Sequence, residues 1–209
     1  VQLTTKENTK SLKGVRVKAN VSLRQGSKSI DSTKGEVLFT DYGLSGISIM
    51  DISRSVKGGQ YTCVIDTLPR CKADEAEKFL LSLDKKMPIE NALSGMMPKA
   101  LGRYILKRCG ENSLSSLGKI GKEKIAEITH TAKNLDFTIT GTMGFKNAQI
   151  SVGGADVKEF NNKTMESKLV KGLFCAGEVL DTDSICGGFN LQWAWASGLL
   201  AGRCAAMGK

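Results

Sequence analysis

From Gly14 to Arg24 apolar and polar residues alternate without a break. Val15, Val17, Ala19, Val21 and Leu23 fall on one side, Arg16, Lys18, Asn20, Ser22 and Arg24 on the other. A period of two predicts a half-buried strand with a basic outer face. Gln25–Lys28 reads as a turn, which places a hairpin partner at about 28–40. Gly35–Thr40 and Gln60–Ile65 read as further strands. Between them, Ser45 is expected to cap a short helix carrying Ile47, Met50 and Ile52.

The period then changes. In Asp74–Lys85, Ala76, Phe79, Leu80 and Leu83 recur at helical spacing, with acidic residues in the first turn and lysines in the last. Pro98 suits the first turn of a second helix, running through Leu101, Tyr104 and Ile105 to a stop at Gly110. Ile120, Ile125 and Ile128 predict a third over about 119–131. Three short helices at about 74–131 make a small insertion between strands, because period-two patterns return at Asp136–Met143 and Ala148–Val152. Gly172–Gly177 is a short apolar run suited to a fully buried strand. Asp181–Gly188 is a polar loop, and Asn190–Ala206 a helix with small residues at Ala194, Gly198, Gly202 and Ala205.

Composition narrows the class. The chain has 209 residues, 41% hydrophobic and 24% charged, which excludes disordered and collagen-like proteins. No apolar run approaches the roughly 18 residues of a membrane span, so no membrane partner is expected. The first residues lack the basic and apolar regions of a signal peptide. They also lack an initiator Met, so a fragment or processed product is expected. The net charge of +9 is unevenly placed: residues 1–134 hold 23 Lys and Arg against 14 Asp and Glu, and residues 135–209 hold seven of each. A basic surface suits an anionic ligand or nucleic acid, but without aromatic interleaving nucleic acid is not the expected partner. Six cysteines without a C-x-x-C pair predict no metal site and reduced thiols in a cytoplasmic protein. The one histidine, His130, is expected at a solvated helix C-terminus.

Chemistry is most legible at 172–206. A strand ending in Gly177-Glu178 and a diglycine, Gly187-Gly188, opening a helix would offer unpaired N–H groups and a positive dipole end. Glycines there let a ligand approach the backbone, and Glu178 could accept hydrogen bonds from sugar or ribityl hydroxyls. A plain strand–helix unit with a glycine turn fits the same residues equally well.

Gly172–Glu178, followed by Gly187–Gln192 and a Gly/Ala-rich helix, resembles the C-terminal FAD-binding segment of two-dinucleotide-binding-domain flavoproteins. It is similar in particular to the bacterial NAD(P)/FAD-dependent oxidoreductases of the aminoacetone oxidase type. Gly35–Gly46, Gly153–Ala155 and Thr164–Lys168 match the same family in the same order. The resemblance implies an α+β fold: an open β-barrel insert domain on the substrate side (1–150) with a small three-helix insertion, and the C-terminal strand–helix part of a Rossmann-like FAD domain (151–209). It implies that Glu178 hydrogen-bonds the ribityl or ribose part of FAD. Backbone N–H groups from Gly188 through Phe189 and Asn190 to Leu191 would face the flavin's pyrimidine edge, with Gly153, Gly154, Gly177 and Gly187 as close backbone approaches. No catalytic acid or base is assigned; Tyr42, Arg54 and Asn190 are candidates by lying in or near the family motifs.

One departure qualifies the match. The family's G-x-G-x-x-G fingerprint is missing, since no two of the 23 glycines are separated by a single residue. The expectation is therefore the C-terminal part of an FAD-dependent oxidoreductase, inactive alone. Its partners would be a small-molecule substrate and the N-terminal FAD-binding half, and NAD(P) a further cofactor. The alternative is a non-enzymatic basic β-barrel that binds an anionic ligand or RNA through Arg16, Lys18 and Arg24.

Overall fold

The computed structural model describes residues 1–208; Lys209, the end of the expected C-terminal segment, lies outside them. The alternating stretch forms β2 (Arg16–Gln25), which pairs antiparallel with β3 (Lys28–Phe39) from Arg16↔Leu38 to Gln25↔Lys28. The alternation does what it predicts, because Ala19, Val21 and Leu23 are buried and the intervening polar residues stay outside. On the other edge of β2 lies β5 (Tyr61–Asp66), and beyond it β6 (Leu135–Thr142). Two three-residue strands, β1 (Leu3–Thr5) and β4 (Gly43–Ser45), finish the sheet in the order β1-β4-β3-β2-β5-β6. Pairing of β1 with β6 closes the ring, so the barrel is closed where an open one was expected. Strands of three residues carry too little alternation to announce themselves. Phe39 and Phe137 meet inside the barrel with ring centroids 5.9 Å apart.

Ser45 does not cap a helix, because it is committed to the ladder opposite Leu38. The short helix α1 (Ile47–Ile52) starts instead after Gly46, at φ 97. A Cβ there would stand 2.5 Å from the Glu36 carbonyl oxygen, so glycine lets the helix start lie directly against β3. Ser48 donates to that same oxygen at 2.7 Å.

The insertion between β5 and β6 holds four helices, not three: α2 (Ala73–Ser82), α3 (Ile89–Ser94), α4 (Lys99–Arg108) and α5 (Lys122–Lys133). The unexpected one, α3, is under two turns long, too short for a helical period to stand out. Helix α2 stops before the expected lysines, where Leu83 turns extended; Lys85 still reaches back to donate to the Leu81 carbonyl at 2.6 Å, as cations do at helix ends. Leu117–Lys119 is a separate single turn, ended by the extended backbone of Ile120, so α5 begins three residues later than expected. Pro98 and Gly110 bracket α4 as expected, with Gly110 at φ 67. His130 lies exposed in the last turn of α5, also as expected. Glu90, with only 5% of its side chain exposed, ties α3 to α4 through Arg103 (2.6 and 2.9 Å) and Lys99 (2.8 Å).

Residues 1–147 form one compact unit and those from Ala148 a second. The first has a continuous core from Leu3 to Ile139, joining barrel interior and helices. Among the described residues the second has only Phe160, Met165, Leu180 and Ala201 as buried apolar residues, beneath one long helix, α6 (Phe189–Met207). Two expected strands do not form in it. Ala148–Val152 has no regular partner among the described residues, and Val152 is 68% exposed. Gly172–Gly177 makes a single bridge, Glu166↔Phe174, and Leu173 stays exposed. A strand buried on both faces needs neighbours on both edges, and this segment has neither beyond that bridge.

Candidate functional site

The Gly/Ala-rich helix organises the second unit. Gly177 is held on it by both of its backbone groups: its N–H donates to Ser197 Oγ (2.9 Å) and its carbonyl accepts from Trp193 Nε1 (3.2 Å). Ser197 in turn donates to the Trp193 carbonyl at 2.6 Å. These two side chains sit one turn apart on one face of α6, which is why they can grip a single residue together. Gly177 has φ 67, and a Cβ on it would lie 3.6 Å from that of Ala194. The clamp therefore seats the Gly177–Val179 turn, and with it Glu178, against the first half of α6.

Gly154 is glycine for a related reason. At φ 153, a Cβ would stand 2.5 Å from the Val179 carbonyl oxygen, where Ala155 makes a parallel bridge with Leu180. Gly153 differs, since at φ 97 it faces open space. The Glu178 carboxylate is exposed and accepts a long hydrogen bond, 3.5 Å, from the Ser151 N–H. Gly153, Gly154, Gly177 and Glu178 are thus gathered by the crossing of the 151–155 and 177–181 segments.

At the start of α6, Gly188 has φ 90 and a Cβ would meet nothing within 4 Å; no side chain caps the helix. The first intrahelical bond is Gln192 N–H to the Gly188 carbonyl, which leaves the N–H groups of residues 188–191 pointing out of the helix end. A Cβ on Gly187 would stand 3.3 Å from the Phe189 ring, while Phe189 and Leu191 are 56% and 70% exposed. Asn190 has another task than acid–base chemistry. Its Oδ1 accepts from the Ser184 N–H (2.8 Å) and its Nδ2 donates to the Ser184 carbonyl (3.1 Å), so it holds the 181–188 loop over the helix start. Tyr42 and Arg54 belong to the barrel unit: Tyr42 lies between β3 and β4, and Arg54 is exposed on the Ser53–Ser55 turn.

Trp193 and Ser197 were not among the expected residues. Their signal is their spacing, a donor and a hydroxyl four residues apart on a mostly apolar helix. Burial pushes the Cys63 thiol up to about 12 and raises Cys109 as well, keeping both protonated.

Helix α6 is mostly apolar, with Asn190, Gln192, Ser197 and Arg203 as its polar or charged side chains. Trp193, Leu200 and Ala201 face the small core of their own unit, where a cavity of about 200 Å³ remains between Phe160, Met165, Leu180, Trp193 and Leu200. On the other side Leu191, Trp195 and Leu199 are 70, 73 and 75% exposed. No helix among the described residues is long and apolar enough to cross a membrane.

The basic face of β2 is divided by its neighbours. Arg16 pairs with Glu36, and Lys18 stands opposite Glu36 in the ladder, so this end of the strand is compensated. Arg24 has no ion-pair partner among the described residues, and the uncompensated charge lies towards β5 and α2.

Three curated relatives are similar to the chain over most of its length. A 3-dehydro-bile acid delta(4,6)-reductase of Clostridium scindens is 36% identical over 201 residues, 92% of this chain and 49% of the relative. Ribosomal RNA dihydrouridine synthases of Haemophilus influenzae and Escherichia coli are 31% and 30% identical, over 78% and 91% of this chain and 40% and 46% of their own length. The chain thus spans about half the length of the curated relatives it matches. Residues 1–150, which contain the closed barrel and its four-helix insertion, match the HI0933-like protein barrel and H2TH domain, and the chain belongs to that HI0933-like family.

Proposed function

We propose that the chain is the C-terminal part of an FAD-dependent oxidoreductase, and that an FAD-binding half completes the bare side of α6. The observation that carries this reading is the exposed row Leu191, Trp195 and Leu199 on a helix already packed on its other side. Covering those three side chains is worth roughly 1.5–3 kcal/mol each. The span of about half the relatives' length leaves room for such a half, and the resemblance to aminoacetone oxidase-type flavoproteins points the same way. A cytoplasmic location and NAD(P) as a second cofactor belong to this reading.

The residues present fit one end of FAD. The open N–H groups at 188–191, unobstructed by a Cβ at Gly188, would hold the pyrimidine edge, and the helix dipole would favour negative charge there. Glu178, exposed and held beside Gly177, would accept hydrogen bonds from ribityl or ribose hydroxyls, and Gly153 leaves space for the chain of the cofactor. When bound, the flavin supplies hydride chemistry. Asn190 and the Trp193–Ser197 clamp fix the two loops that carry these groups. The names of the relatives share one reaction: two hydrogens are added across a carbon–carbon double bond conjugated with a carbonyl. We assign the whole protein to that reductase class, with the barrel unit on the substrate side.

The test is co-expression of this chain with the FAD-binding half. The expected result is a yellow, co-purifying complex, lost in the Trp195→Asp, Leu199→Asp double variant. A stoichiometric flavin complex of the 209-residue chain by itself, or a complex indifferent to the double variant, would overturn the proposal.

A further inference from the structure

Where the Lys10–Leu12 turn meets the last turn of α4, the barrel unit has a cleft of about 570 Å³. That volume lies within the range of small-molecule sites. The side-chain oxygens of its acid and amide are already used. Glu7 accepts from the Thr138 N–H through one carboxylate oxygen (2.8 Å) and from the Thr138 hydroxyl through the other (2.9 Å). Asn8 Oδ1 accepts from the Lys10 N–H at 3.0 Å.

What remains along the cleft is a set of donors. The ammonium groups of Lys10 and Lys107, the amide nitrogen of Asn8 and the hydroxyls of Ser11 and Tyr104 make no hydrogen bond among the described residues. Arg108 is a third cation, but Asp136 answers it with its carbonyl (2.7 Å) and its carboxylate (2.8 Å). Asp41, whose carboxyl feels the charge of Lys10, is itself paired with Lys13 at 2.7 Å. Both lysines of the cleft are therefore uncompensated. Tyr104 adds a fixed point, since its ring stacks on Phe137 of the core with centroids 6.2 Å and planes 18° apart. Burial raises its hydroxyl above the ordinary value, against a smaller opposing pull from Arg108, so it is a proton donor at neutral pH.

We propose that this cleft binds a small phosphate monoester. A phosphate brings only acceptors and about two negative charges, which matches two free ammonium groups and the neutral donors beside them. A monocarboxylate answers one lysine and leaves the other unpaired. The donors are gathered in one cleft of small-molecule size, which suits a compact anion better than a long chain of phosphates. All of them belong to the barrel unit, so the inference stands independently of the flavin reading.

The experiment is calorimetric titration of the whole protein that carries this chain with glycerol 3-phosphate, with glycerol and acetate as controls. The expected result is saturable binding of the phosphate ester and none of glycerol. Lys10→Ala with Lys107→Ala should weaken that binding at least about tenfold, and Tyr104→Phe, which keeps the stacked ring, about threefold. Lys119→Ala with Lys122→Ala removes the same charge from exposed positions outside the cleft and should leave binding unchanged. Flavin content is read on the same samples, and its loss would count against the flavoprotein proposal without touching this one. No saturable binding, acetate bound as tightly as the ester, or equal losses in the two double variants would overturn the assignment. So would displacement of the ester by an RNA hairpin at equal phosphate concentration.

Discussion

The two units of this chain bury apolar surface in opposite ways. The barrel unit closes its sheet on itself, fills the interior with Phe39, Phe137 and aliphatic residues, and covers the outside with charge. Among its described residues the second unit buries four apolar side chains and leaves Leu191, Trp195 and Leu199 in the open. Backbone pairing follows the same division. The barrel has a complete ladder, whereas residues 148–180 are held by isolated bridges and side-chain clamps. A segment with so little core of its own gains stability by packing against something else. The barrel unit has a large core of its own; the second unit has a small one and leaves an apolar helix face in the open.

The largest effect that would break this contrast lies in the barrel. Phe137 is fully buried between Phe39 and Tyr104, so Phe137→Ala should cost about 3–5 kcal/mol. Urea unfolding of the barrel unit should show that loss, while protease cleavage within 148–180 stays unchanged. If both respond together, the two units are one cooperative body.

In the second unit, Trp193→Phe keeps most of the apolar surface but removes the hydrogen bond to the Gly177 carbonyl. The expected cost is about 0.5–1.5 kcal/mol, seen as faster proteolysis around Gly177 with no change in the urea midpoint of the barrel unit. An unchanged cleavage rate would mean that Ser197 holds the turn unaided.

A smaller effect is tied to pH. Hydrogen bonds from Arg103 and Lys99 hold the Glu90 carboxyl at about 2, against an ordinary value of 4.5. A carboxyl depressed on folding lends stability that is present above pH 4.5 and lost as pH falls towards 2. The urea midpoint of the barrel unit should therefore decline across that window, and Glu90→Gln should make the decline shallower. An equal decline in both proteins would show that other carboxylates carry it.

Legibility in the sequence followed the same division. The long β2–β3 hairpin, β5, β6 and α4 were readable because each buries its own periodic face inside the chain. The strands β1 and β4 and the helix α3 were too short to show a period, so closure of the barrel was invisible. At 172–177 an apolar run reads as a buried strand, but those residues find only one bridge here; an apolar pattern reports what a segment buries, not where its partner is. The candidate site was legible as a set of glycines plus Glu178. The structure separates their roles: Gly154 serves close chain packing, Gly177 takes the positive φ of its turn, and Gly153 and Gly188 face open space. Asn190 reads as part of the motif, whereas its clamp on Ser184 depends on a loop geometry that spacing does not reveal.

An FAD-binding half, on the reading proposed above, covers the bare side of α6. Amide hydrogen exchange tests it most directly, followed on this chain with and without that half. The β2, β3 and β5 amides should be equally protected in both samples, and the α6 amides should slow markedly only when the half is present. Protection of α6 that is already as strong as that of the barrel in the chain alone, and unchanged by the addition, would contradict the account.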